Sequence, residues 1–184
     1  MRAGRLTTAA TLRDSAGAVL FTPLIGVTAD NPNGATEPGL RGHAVTIRAR
    51  YSPEFKNGHS LSVVNGDEVY LINSATNPDG KKQDSLISGN ILRGHACTVD
   101  TADGEVLTRV ALLGYVPEPE GDHGYLSATE PRRQAEFFNA EYFPQVGHQF
   151  TAGGSLWQIE QLDAQRSTGV LTRCWISFIS HVGG

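Results

Sequence analysis

Long apolar runs are missing from this sequence. No stretch approaches the roughly 18 residues that a membrane helix needs. The opening Met1-Arg2-Ala3-Gly4-Arg5-Leu6-Thr7-Thr8 lacks the apolar centre of a secretory signal. The expectation is a soluble chain made in the cytosol, with no membrane partner. Cysteine is nearly absent too. Cys97 and Cys174 form no C-x-x-C pair and are too few to staple a secreted scaffold, so buried free thiols are expected. They fall in the first and last strands of the second half, which would be neighbours in one way of closing a barrel. A surplus of positive charge is lacking as well. The formal charge is −4, which argues against a chain whose main task is gripping phosphates. Double-stranded DNA is expected to pass without specific binding.

The common chemical motifs are likewise missing. There is no Walker loop, no G-x-S-x-G, no H-E-x-x-H and no G-x-G-x-x-G. The six histidines, at 43, 59, 95, 123, 148 and 181, show no paired ligand spacing. Asp67-Glu68 sits at a turn rather than in a cleft. The reading is therefore no enzyme, no catalytic residue, no metal and no cofactor.

Glycine and proline are abundant, 21 and 9 residues, and they punctuate short segments. The segments recur. Thr11 to Leu20 lies over Thr98 to Leu107 at an offset of 87, sharing Thr, Gly, Val and Leu. Further on, Leu24-Ile25-Gly26 aligns with Leu112-Leu113-Gly114, Tyr51-Ser52-Pro53 with Tyr142-Phe143-Pro144, and Gly58-His59 with Gly147-His148. Val69 to Ile72 aligns with Leu156 to Ile159, and Ile87-Ser88 with Ile176-Ser177, with offsets between 87 and 91. This order of landmarks predicts a tandem duplication, with domains at 1–90 and 94–184. Residues 1–90 carry 9 basic and 8 acidic groups against 6 and 11 in the second half, so the halves differ in charge.

Each half reads as strands. Asp14-Ser15-Ala16-Gly17 turns a hairpin, with Gly104 in the same turn of the second copy. Alternation in Val45 to Tyr51 puts Val45, Ile47, Ala49 and Tyr51 on a buried face. Asn65-Gly66, replaced by Gly153-Gly154, marks a second hairpin, and Asn77-Pro78-Asp79-Gly80 leads into the last strand, Gln83 to Ser88, matched by Val170 to Phe178. The fold expected is all-β: two tandem small barrel or sandwich-like domains of similar topology with long loops. Those loops, Val27 to His43 and Val116 to Arg133, exceed the usual connection length, as functional segments and solvated flexible ones both do. The candidate assembly or channel contacts on them are Asn31, Asn33, Glu37, Arg41, Glu118, Glu120, Asp122, His123 and Tyr125.

The opening Met1 to Leu6, the strand Thr46 to Tyr51 and above all Gly66-Asp67-Glu68-Val69-Tyr70-Leu71-Ile72 with Asn77-Pro78-Asp79-Gly80-Lys81-Lys82 resemble the phage head-tail joining family, also called head-closure or stopper proteins. The resemblance covers residues 1–88. The second half is linked only through the repeat and has Gln165-Arg166-Ser167 where Pro-Asp-Gly stands. The resemblance implies a structural virion protein of the neck, assembled in the host cytoplasm: a homo-oligomeric ring between the portal or adaptor and a tail terminator or tail tube protein, with a loop that retains DNA. Open alternatives are a tail-terminator or other tail-proximal ring protein, an oligonucleotide-binding barrel, and a small hydrolase.

Overall fold

The computed structural model describes residues 6–30, 39–78, 80–115 and 133–182. The elements are thirteen strands: β1 (Thr8–Arg13), β2 (Val19–Phe21), β3 (Leu24–Ala29), β4 (Arg41–Arg50), β5 (Ser60–Val63), β6 (Val69–Thr76), β7 (Asp84–Leu92), β8 (His95–Thr101), β9 (Gly104–Tyr115), β10 (Arg133–Phe138), β11 (Gln149–Ala152), β12 (Ser155–Asp163) and β13 (Leu171–His181). Two compact units emerge, 1–37 with Arg41–Arg93, and Pro38–Leu40 with Gly94–Gly184. No helix among the described residues is long and apolar enough to cross a membrane.

Each unit is a closed antiparallel barrel of six strands. In the first, β1 pairs with β3 and β5, β3 with β4, β4 with β7, β7 with β6 and β6 with β5, and β2 continues β3 along β1. In the second, β8 pairs with β9 and β11, β9 with β10, β10 with β13, β13 with β12 and β12 with β11. The two rings are the same circuit, once β2 with β3 is matched to β9. Closure pairs the backbone groups that an open sheet would leave at its edges.

Pairing partners give the true correspondence. Leu12 faces Leu61 where Val99 faces Phe150, and Leu61 faces Tyr70 where Phe150 faces Trp157. Four sequence overlays are corrected. Leu12 faces Phe21 where Val99 faces Val106, so Phe21 rather than Val19 corresponds to Val106. Thr8 faces Ile25 where His95 faces Val110, so Ile25 corresponds to Val110, three residues before the aligned Leu113. The cause is the first hairpin, whose second copy is the shorter: Val99 and Val106 enclose six residues, whereas Leu12 and Phe21 enclose eight. Tyr51 corresponds to Asn139 rather than Tyr142, because both amides bond the residue before the last strand, Gln83 O at 3.1 Å and Val170 O at 3.0 Å. Ile87 faces Ile47 where Cys174 faces Ala135, so Ile87 matches Cys174 instead of Ile176. The other landmarks keep the aligned register. Gly58 N bonds Ile72 O at 3.0 Å and Ile72 N bonds His59 O at 2.8 Å, as Gly147 N bonds Ile159 O at 2.8 Å and Ile159 N bonds His148 O at 2.9 Å.

The two cores fill similar interiors with exchanged bulk. Ala49 and Leu61 become Phe137 and Phe150, which meet edge-on at 5.1 Å, while Ile47 and Ile87 become Ala135 and Cys174. Large side chains gained on β10 and β11 are offset by small ones on β10 and β13, as a close-packed interior requires. Val45, Ile47 and Ala49 are buried as their alternation predicts, and Tyr51 is partly exposed.

Cys97 and Cys174 are buried and free. Their strands are not neighbours as the barrel-closure argument suggested, because β8 lies between β9 and β11 and β13 between β10 and β12. Burial pushes both thiols up to about 12, the charge of Glu141 adding to the effect at Cys97 and a bond to Ala135 O opposing it at Cys174.

Candidate assembly surfaces

Both long loops join corresponding strands, β3 to β4 and β9 to β10. Of the residues proposed on them, Asn31, Asn33, Glu37, Glu118, Glu120, Asp122, His123 and Tyr125 lie outside the described residues. Arg41 is described. It opens β4 opposite Leu92, is exposed, and has no ion pair among the described residues. The roots of the loops are well held. Asp30 N bonds Ala44 O at 3.1 Å, and the Asp30 carboxylate accepts from Thr46 Oγ1 at 2.8 and 3.0 Å. Arg133 faces Tyr115, donates from Nε to Leu113 O at 2.9 Å, and lies with its guanidinium 5.4 Å from the Trp157 ring centre.

Sequence reasoning missed the polar sites that complete the second unit. Glu136 is on the outward side of β10, yet it is 4% exposed. Its carboxylate accepts from Arg173 Nε at 2.9 Å and from the amide of Leu40 at 2.7 Å, and Leu40 is itself fully buried in the same unit. Two charge-assisted bonds hold a carboxylate that would otherwise be costly to bury. Beside it, Gln134 donates to Asp163 Oδ2 at 3.0 Å. Glu141, on the loop after β10, pairs with Arg109 Nε at 3.1 Å and accepts the Arg109 amide at 3.0 Å, which ties that loop to β9. Nothing marked Glu136 in the sequence except its place between Ala135 and Phe137, which gives it the outward parity of a solvated residue.

Histidines at the duplicated position have different partners. The His148 Nδ1 lies 2.8 Å from the Tyr142 hydroxyl, whose pKa is raised by burial. His59 Nδ1 has no hydrogen-bond partner among the described residues, and neither does the buried Ser60 Oγ. The Tyr70 hydroxyl donates to Glu68 Oε2 at 2.5 Å, and burial together with that bond raises its pKa. Among the described residues no cluster of three or more His, Cys, Asp or Glu is placed to hold a metal.

The outer surfaces differ in charge. On the first barrel, Arg48 and Arg50 share the outward side of β4, and Lys81 and Lys82 are exposed just before β7. Arg50 is 80% exposed and meets Asp84 at 3.5 Å, and Lys82 Nζ lies 6.0 Å from the Tyr51 ring centre. On the second barrel, Asp100 and Glu105 face each other across the β8–β9 hairpin, with Asp103 at its tip. The first barrel has Arg13 at the position of Asp100, since Arg13 faces Ser60 where Asp100 faces Gln149. Comparisons of the chain with protein-family models, curated proteins and solved structures find no match.

Proposed function

We propose that this chain is a structural neck protein of a tailed phage or phage-like particle, without enzymatic activity. It forms a ring that joins the portal or adaptor of the head to the tail and helps retain DNA. The observation that carries the reading is the resemblance of Gly66 to Ile72 and Asn77 to Lys82 to the head-tail joining family. In this chain that stretch runs through β6 and the turn into β7, where Gly80 N bonds Asn77 O at 3.2 Å.

The duplication gives the reading a physical role. Two barrels of one topology with different outer charge offer two kinds of surface per subunit, which suits a component standing between unlike neighbours. A barrel closed on itself also leaves side chains and loops, rather than free sheet edges, to make its contacts. An acidic balance near a channel disfavours adhesion to phosphate within about 8 Å at physiological salt.

The test is genetic. Particles produced without this chain should accumulate as filled or leaking heads and separate, normal-length tails, and supplying the chain should restore joining. Tails of uncontrolled length with normal heads would assign it to tail termination. Intact infectious particles without it would end the structural reading.

A further inference from the structure

The first barrel bears an outward face that the fold leaves without a partner among the described residues. Ile25 is fully buried in β3, so Leu24 and Gly26 point outward, and Leu24 is 53% exposed. Gly26 stands opposite Arg48, which in turn stands opposite Leu86 of β7, so no carboxylate lies directly opposite Arg48 on either strand. Arg50, on the same side of β4, pairs with Asp84 but remains largely exposed. The face is therefore apolar at Leu24 and cationic at Arg48 and Arg50.

A surface of the opposite kind exists on the second barrel of the same chain. Asp100 and Glu105 are direct cross-strand neighbours, an arrangement that is unfavourable between like charges. Asp103 adds a third carboxylate at the tip, all three are exposed, and none forms an ion pair among the described residues. Two residues along β9 from Glu105, on the same side of the strand, Leu107 is 75% exposed, the highest value among the exposed large apolar residues described. Carboxylates beside a leucine on the hairpin mirror arginines beside a leucine on the β3–β4 face.

We infer that the β3–β4 face of one copy receives the β8–β9 hairpin of a second copy, with Arg48 and Arg50 against Asp100 and Glu105 and with Leu24 against Leu107. The occupant is a second copy because complementary charge and exposed apolar surface occur on two different parts of one chain. Such a contact is heterologous: each subunit gives its hairpin to one neighbour and its face to another, so the contact propagates and closes as a ring when the rotation permits. Opposed charges orient the encounter, and the leucines supply the apolar centre that interfaces share. The inference rests on the ring reading above and names the surfaces that would build it.

Charge reversal in the full chain tests it, with molar mass measured by light scattering and sedimentation over a range of concentrations. Arg48→Glu with Arg50→Glu, or Asp100→Lys with Glu105→Lys, should weaken self-association by about tenfold or more, while thermal melting shows that each variant remains folded. Mixing the two variants, or placing all four substitutions in one chain, should restore association, because every contact then pairs opposite charges again. A wild-type oligomer unaffected by either pair, or a folded four-fold variant that fails to reassociate, would overturn this interface and leave the ring reading standing. A wild-type chain that is monomeric throughout would overturn both. Loss of salt-sensitive double-stranded DNA binding in the arginine variant, with association unchanged, would assign the face to nucleic acid instead.

Discussion

Asn73 and Glu160 are the extra residue of the same β-bulge in two barrels. In each barrel the strand skips one residue against its partner, between Ile72 and Ser74 opposite β7 and between Ile159 and Gln161 opposite β13. Each bulged side chain bonds the corresponding neighbour: Asn73 Nδ2 donates to Asn90 Oδ1 at 2.7 Å, and Glu160 Oε1 accepts from Ser177 Oγ at 2.6 Å. A bulge of this kind bends its strand and raises its twist, which a six-strand sheet needs in order to close. Asn73→Ala should cost about 1 kcal/mol through the lost hydrogen bond. Deleting Asn73 should cost several times more, because a one-residue slip sends Ser74 and Ala75 to the wrong sides of the sheet. Urea unfolding of the two variants measures both.

Gly89 and Ile176 correspond, and only one of the positions accepts a side chain. A Cβ at Gly89 would stand 2.6 Å from the backbone oxygen of Leu71. Gly89→Ala should therefore destabilise the first barrel by about 1–3 kcal/mol, as overpacking does. A neutral result in chemical denaturation would mean that β6 and β7 are not held at this spacing.

Breaking the Glu136 site should weaken the second unit. Glu136→Ala removes the acceptor of both the Arg173 guanidinium and the Leu40 amide, with an expected loss of about 3 kcal/mol. Glu136→Gln keeps an acceptor and should cost less. Protection of the Leu40 amide against hydrogen exchange should fall in the alanine variant and largely persist in the glutamine variant.

The two thiols predict alkaline weakening. A thiol ordinarily ionises near 9, and burial pushes Cys97 and Cys174 up to about 12. Between those values the unfolded chain releases protons that the folded chain retains, so stability is fully present below pH 9 and declines as pH rises toward 12. The native protein should resist a thiol reagent at pH 8 and expose two reactive thiols in denaturant. Cys97→Ala with Cys174→Ala should flatten the pH dependence between 9 and 12, measured as the change in unfolding midpoint.

Turn chemistry made the tandem arrangement of two similar barrels legible in the sequence. Gly17 and Gly104 both take positive φ in the first hairpin, and Asn65, Gly153 and Gly154 do so in the second. Fine register was less accessible, because similar apolar pairs such as Leu24-Ile25 and Leu112-Leu113 recur at short spacing and the shortened hairpin moves the correct match the other way. The Glu136 site was not legible at all. Its partner Leu40 is 96 residues away, and the strand parity that predicts burial so well for Phe137 predicts solvent for Glu136. Candidate loop contacts came from length and polarity, which select a segment and not the residues that touch a partner.

The most direct test of the central claim is a reconstruction of intact tailed particles carrying a site-specific label on this chain. The account predicts labelled density arranged as a ring between the head vertex and the tail, with both barrels fitting that ring. Label absent from purified particles, or confined to the capsid shell or the distal tail, would contradict it.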